Sequence, residues 1–131
     1  MSALSNYLEE KIVDHFLRNS PTTSPTTVYL ALFTADPTED GTGAEATYVN
    51  YARQASSWTA LDGNGQTKND LVVTFPANGN ASASETITHG ALFDALTGGN
   101  MLLYGALATS KTLAVGDILS FSENALTLTL D

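Results

Sequence analysis

The chain has 131 residues, no cysteine, and fourteen acidic against five basic residues, which gives a formal net charge of −9 at pH 7. This length suits one domain with a sizeable core, and the lack of cysteine excludes disulfides, thiolate metal sites and a cysteine nucleophile. So few basic residues cannot neutralise a row of phosphates, so we expect neither nucleic-acid binding nor attraction to an anionic membrane. No apolar run approaches the roughly 20 residues of a membrane-spanning helix, and charged residues break up any signal-peptide core.

The N-terminal segment has the apolar spacing of an amphipathic helix. Its apolar face includes Leu8, Ile12 and Phe16. Ser2 or Ser5 can cap the start of this helix, and Asn19, which precedes a Ser-Pro pair, ends it. We therefore predict a helix from about 3 to 18, in an N-terminal unit of residues 1–19 that precedes a body of residues 20–131.

After residue 27 the apolar period changes to two, and threonine, valine, alanine and glycine dominate. The candidate strands are residues 28–34, 48–53, 55–61, 70–75, 85–94, 101–108, 118–122 and 125–130. Turn-forming residues separate them about every ten residues, a spacing typical of antiparallel sandwiches. The predicted fold class is therefore mainly β, an antiparallel β-sandwich or jelly roll with an N-terminal α-helix.

The two histidines are the side chains best suited to acid–base chemistry near neutral pH. His15 lies on the polar side of the helix, where we expect a solvated side chain. His89 shares a strand face with Ile87, Ala91 and Phe93 if side chains alternate, which indicates a hydrogen-bonded histidine at a sheet or interface position. Because no G-x-S-x-G elbow is present, we predict no catalytic residue and no enzyme, with a small hydrolase or sugar-binding module as a remote alternative.

Two acidic segments offer oxygen ligands that a cation could use. One is the loop of residues 36–46, and the other is the turn DGNGQ at residues 62–66, which resembles a fragment of a calcium loop. The complete ligand spacing and its closing glutamate are missing, so we predict solvated turns and no metal. The Gly98-Gly99 pair supplies positive φ in a hairpin turn and does not open a helix, so no nucleotide or other cofactor is expected.

Together with the N-terminal helix, three further phrases resemble a family of small structural proteins of tailed bacteriophages, often labelled tail fibre proteins. They are TTVYLALFTADPTEDGTG at 26–43, YARQA at 51–55, and HGALFDALTGGNMLLYGALATSKTLAVGD at 89–117. The resemblance covers nearly the whole chain. It implies a virion component of sandwich type, assembled in the cytoplasm of the host bacterium, with other virion proteins as partners and no enzymatic activity.

Within this family we expect a head decoration, or cement, protein that binds the major capsid protein and its own copies as a homo-oligomer. The sequence shows no heptad or β-helical period for a fibre shaft, and it is too short to supply both an adaptor and a shaft. The alternative is a tail component, either a short fibre tip or a baseplate adaptor. In that case the loop of residues 36–46 would contact host saccharide or a partner protein.

The predicted contact surface has two parts. The first is the helix face with Leu8, Ile12 and Phe16, which either docks on a neighbour or covers an open face of the chain's own sandwich. The second is a hairpin tip formed by Thr97, Gly98, Gly99, Asn100 and Met101.

Overall fold

The computed structural model describes residues 2–130 and is mainly β, with one helical segment near the N-terminus. The strands are β1 (Ala3–Leu4), β2 (Val28–Phe33), β3 (Gln54–Ser56), β4 (Gln66–Lys68), β5 (Val73–Thr74), β6 (Glu85–Phe93), β7 (Met101–Leu113), β8 (Ser120–Phe121) and β9 (Thr127–Thr129). The helix α1 (Asn6–Ile12) continues into a π-helical turn (Val13–Leu17). The predicted fold class is confirmed.

One layer of the fold is a five-stranded antiparallel sheet in the order β1-β7-β6-β2-β3. Its centre is the long hairpin of β6 and β7, which pairs Glu85 with Leu113 at one end and Phe93 with Met101 at the other. Strand β2 pairs with β6. The pairs β4–β9 and β5–β8 form two ribbons outside this sheet. Because both ribbons contribute side chains to the core under the sheet, the arrangement is an antiparallel sandwich.

The main core lies between the sheet and the ribbons. Leu32 and Ile87 come from the sheet with no exposed surface, and Phe75 and Phe121 come from the ribbon side. The two phenylalanine rings meet edge to face, with 6.4 Å between their centroids. Each large apolar side chain buried in this way stabilises the fold by about 2 kcal/mol, so this core accounts for most of the cohesion between the layers.

A smaller apolar cluster lies on the other face of the sheet. Its buried members are Ala31, Phe33, Ala91, Phe93 and Met101. The first part of the chain between β2 and β3 lies over this face, since Gly41 lies beside Met101, and Pro37 within it is buried. This explains why β2 is apolar on both faces, as its sequence VYLALF predicts.

The predicted start of the helix at residue 3 is wrong. Ala3 and Leu4 instead pair with Tyr104 and Leu103 of β7 and extend the five-stranded sheet. The helix begins after Ser5, whose side chain accepts a hydrogen bond from the Leu8 N–H at 3.1 Å. The pairing of residues 3 and 4 depends on a strand a hundred residues away, so the local apolar spacing could not show it.

Two strand predictions also need correction. Residues 48–53 do not form a strand, because Tyr48 and Tyr51 both turn toward the core with a hydrogen bond between their backbones at 2.9 Å. In β6 a register shift between Ile87 and His89 interrupts the alternation. Ile87 therefore lies in the main core while Phe93 lies in the opposite cluster, and the prediction that one face carries them all is wrong.

Candidate interaction surface

The N-terminal helix presents apolar side chains to solvent. Phe16 is 75% exposed and Leu17 is 78% exposed, while Ile12 and Val13 are 40% and 43% exposed. No side chain of residues 6–17 is fully buried. A surface helix normally turns its apolar stripe toward the core of its own domain, so this stripe is a candidate contact surface for another protein.

The last turn of this helical segment is a π-helical turn. The Arg18 N–H donates to the Val13 carbonyl at 3.2 Å, which is a bond across five residues instead of four. Four residues of this wider coil make less than one full turn, whereas four residues of an α-helix make slightly more than one. Phe16 is therefore displaced around the helix relative to Ile12 in the opposite direction from the one that an α-helical turn would give.

A groove of ≈ 410 Å³ runs beside this helix. Leu8, Ile12 and Phe16 line it together, with Leu102 of β7 and the chain at residues 22–25. Polar side chains at its edge are Lys11, His15 and Asp94. The structure thus gathers all three helix residues that the sequence singled out into one apolar groove.

The wall of the groove opposite the helix is the link between the helix and β2. Residues 20–26 of this link are exposed and contain no helix or strand. The His15 Nδ1 accepts a hydrogen bond from the Thr22 N–H at 3.2 Å, which ties the link to the helix. His15 is exposed, as predicted, and it also holds one side of the groove in place.

The second predicted part, the hairpin tip between β6 and β7, is mostly exposed. Gly98 and Gly99 have φ of 62° and 71°, which confirms the predicted turn. The Asp94 carboxylate accepts the backbone N–H of Asn100 at 2.7 Å and its side-chain amide at 3.0 Å. Thr97 is exposed with the rest of the tip, whereas Met101 is only 5% exposed and belongs to the outer-face cluster.

The two predicted parts lie at the same end of the sandwich. The Asn6 N–H donates to the Glu39 carbonyl at 3.1 Å, and the Asn6 side chain donates to Asp40 at 2.6 Å. Gly99 and Asn100 share a cavity of ≈ 300 Å³ with this corner of the chain. The helix, the acidic loop and the hairpin tip therefore form one continuous end surface.

Arg53 was not among the predicted site residues, although it fixes the hairpin tip. It is 8% exposed, and its guanidinium donates to both carboxylate oxygens of Glu45, at 2.8 and 2.9 Å. Its Nη1 donates to the carbonyls of Ala95 and Gly98 at 2.9 and 2.8 Å, and its Cζ lies 3.7 Å from the centre of the Phe93 ring. The signal in the sequence was that this is the only arginine after residue 18.

Tyr51 joins the same network to the sheet. Its hydroxyl donates to Glu45 at 2.7 Å and accepts the Leu32 N–H at 3.0 Å. Burial, with a further contribution from Glu45, raises the pKa of Tyr51 far above its usual range. The phrase YARQA thus connects β2, the acidic loop and the hairpin tip through Tyr51 and Arg53.

The groups considered for catalysis or metal binding are used within the fold. His89 is half-buried, and its Nδ1 lies 2.8 Å from the Thr88 hydroxyl. The Asp62 carboxylate accepts the N–H groups of Gln66 and Asn64 at 3.0 and 2.8 Å, which lowers the pKa of Asp62. Within residues 2–130 no group of three or more acidic or histidine side chains is placed to hold a metal ion. In that same part of the chain, no helix has the length and apolar character needed to span a membrane.

Comparison with protein families identifies the chain. Residues 3–129 match the family model described as Podophage GP4 fiber I protein gp80. The chain belongs to this family. The comparison with curated proteins gives no match. Membership confirms the resemblance to small virion structural proteins of tailed phages labelled as tail fibre proteins, and it places the fibre I protein in the virion with other virion proteins as its partners.

Proposed function

We propose that this fibre I family member is a non-enzymatic subunit of the phage tail fibres, which acts by binding other virion proteins and further copies of itself. The observation that carries the proposal is the apolar face of the N-terminal helix, where Phe16 and Leu17 are more than 70% exposed. The family match over residues 3–129 supports a place in a fibre. The exposed face supplies a means of attachment.

Burial of this face in a contact would be energetically favourable. Covering an exposed phenylalanine or leucine side chain contributes about 2 kcal/mol, and the groove beside Phe16 adds further apolar surface. Contacts of this size are weak singly, but they add up when many copies are held in one particle.

The polar groups near this end surface support a structural role. Glu45 and Arg53 are engaged with one another, and the Arg53 Nη1 also donates to two backbone carbonyls. A carboxylate held in a two-point ion pair with a buried arginine is poorly placed to gain and lose a proton during turnover. We therefore propose that this surface binds other proteins and does not catalyse a reaction.

Head decoration is the second candidate. A compact two-layer body with one apolar helix at its end would also suit a protein that binds the major capsid protein at many equivalent positions. In that case the same helix would face the capsid surface. The two candidates share the contact surface and differ in its partner.

Immunogold labelling of purified phage particles tests the proposal. Antibodies raised against the chain are expected to label the tail, with a copy number in the range of fibre subunits by quantitative gel analysis. Labelling over the whole head, with a copy number near that of the major capsid protein, would favour decoration instead. Failure to find the chain in purified particles would overturn both candidates.

A further inference from the structure

The chain contains two Asn-Gly pairs, Asn64-Gly65 and Asn78-Gly79. Such a pair is chemically reactive, because glycine has no Cβ to keep its backbone nitrogen away from the preceding side-chain amide. In both pairs a small residue precedes the asparagine and an amide residue follows the glycine, so the local sequences are nearly equivalent. Their surroundings in the fold differ, and the structure therefore separates an open pair from a protected one.

We propose that Asn64 is a site of spontaneous deamidation and that Asn78 is not. The Gly65 nitrogen attacks the Asn64 Cγ, the bond from Cγ to the amide nitrogen breaks, and the proton of the attacking nitrogen leaves with that amide as ammonia. Water then adds to one of the two carbonyls of the resulting succinimide and opens it to aspartate or isoaspartate. The reaction needs no oxidant or reductant. It goes beyond the proposed function and does not depend on which partner the chain binds.

The Asn64 pair lies where a small movement frees the reacting groups. Asn64 is exposed, in the turn that precedes β4. The Gly65 N–H donates to the Asp62 carbonyl at 3.2 Å, the long end of the range for such a bond. Opening this bond leaves the N–H groups of Asn64 and Gln66 on the Asp62 carboxylate, so the rest of the turn stays in place. The attacking nitrogen is therefore released without unfolding of the sheet.

The Asn78 pair is held on both sides. Asn78 is 1% exposed, its amide donates to the Leu113 carbonyl at 2.9 Å, and its Oδ1 accepts the Asn80 N–H at 2.9 Å. The Gly79 N–H donates to the Val49 carbonyl at 2.9 Å. Because the attacked group and the attacking group are both fixed by bonds, the reaction at Asn78 requires a larger opening of the fold.

The product alters one end of the β4–β9 ribbon. The Gly65 carbonyl accepts the Leu130 N–H at 2.8 Å, beside the paired residues Gln66 and Thr129. Isoaspartate adds a methylene to the backbone just before Gly65, which disturbs the geometry of this bond and of the turn. Either product also adds one negative charge to the net charge of −9. Because a protein in an assembled virion is not replaced, modified copies accumulate as a particle ages.

Peptide mapping of the full-length chain after incubation at mildly alkaline pH tests this assignment. Trypsin releases residues 54–68, in which Asn64 is the only asparagine, and residues 69–111, which contain Asn78. We expect the first peptide to gain one mass unit, located at residue 64 by fragmentation, and to separate into aspartate and isoaspartate forms on chromatography. Asn78 should react roughly tenfold more slowly. A sample digested before incubation corrects for reaction during digestion.

Two comparisons separate the effect of the fold from that of the sequence. In the chain unfolded by guanidinium chloride, Asn64 and Asn78 should react at similar rates, because both pairs are then open. Asn64→Gln should abolish the mass gain in residues 54–68 and leave the rate at Asn78 unchanged, since glutamine would have to form a larger ring. Equal rates at the two asparagines of the folded chain, or an Asn64 that reacts only after unfolding, would overturn the assignment.

The effect on the ribbon has its own measurement. The deamidated chain, separated by anion exchange through its added charge, should unfold at a lower denaturant concentration than the unmodified chain. An equal midpoint for the two forms would overturn the claim that the product disturbs this end of the fold.

Discussion

Single side chains hold the hairpin tip in place, and Arg53 makes the most hydrogen bonds to it and to its support, Glu45. Four hydrogen bonds from its guanidinium bind a carboxylate and two carbonyls, and the flat guanidinium stacks on Phe93. A lysine offers one point of charge and cannot reproduce this fork of bonds. The chain at residues 95–98, which leads into the hairpin tip, is therefore held by one buried cation and not by a hydrophobic core of its own.

Replacing Arg53 should destabilise the protein measurably. Arg53→Ala would leave the Glu45 carboxylate and two backbone carbonyls without their donor, and we expect the free energy of unfolding in urea to fall by about 3 kcal/mol. The free energy of unfolding of Arg53→Lys should lie between the values of the parent chain and the alanine variant. A loss below about 0.5 kcal/mol, the usual effect of a surface substitution, would show that the network does not hold the tip.

The lowered pKa of Asp62 predicts that the stability of the fold depends on pH. Bonds from the Gln66 and Asn64 amides lower the pKa of Asp62 in the folded protein. Its ionised form therefore stabilises the fold above the ordinary aspartate pKa near 3.8, and this contribution disappears as the pH falls through the lower folded-state value. Asp62→Asn should be less stable than the parent at pH 7 and equal to it in strong acid. The measurement is the free energy of unfolding in urea of both proteins at the two pH values. If the variant and the parent chain differed by the same amount at both, the explanation would be contradicted.

The elements of this fold differ in how far the sequence determines them locally. Strands β2 and β6 and most of β7 follow from their own strand-forming composition and from the glycine turn between β6 and β7, and all three were predicted. Strand β1 and the Arg53 network were not predicted, because each depends on a partner distant in the chain. The π-helical turn was missed for another reason, since apolar spacing predicts a helical face but does not separate a wide turn from an ordinary one.

The helix itself contributes little to the core, which predicts the result of its removal. Residues 6–17 bury no side chain completely, and β1 adds only two residue pairs to an edge of the sheet. Deleting residues 1–18 should leave a folded sheet domain that unfolds cooperatively, with stability reduced by about 2 kcal/mol through the lost hydrogen bonds of Ser5. The deletion should abolish incorporation into particles. Loss of the β-sheet signal in circular dichroism would instead assign the helix to the core.

For the whole molecule, the proposed function combines an acidic surface, which repels other acidic copies in solution, with one apolar end surface that would make the contacts in the particle. The net charge of −9 by itself selects no side of the molecule for contact. The helix face, the acidic loop and the hairpin tip, in contrast, all lie at one end. Contacts made through a single end of a compact body suit a subunit that is held in place by its neighbours.

A reconstruction of the purified phage particle by electron cryo-microscopy tests this account most directly. With the sandwich fitted into the tail density, the helix face around Ile12 and Phe16 is expected to be buried against another protein chain in each copy. Copies with this face open to solvent, or a particle that lacks the chain, would contradict the account.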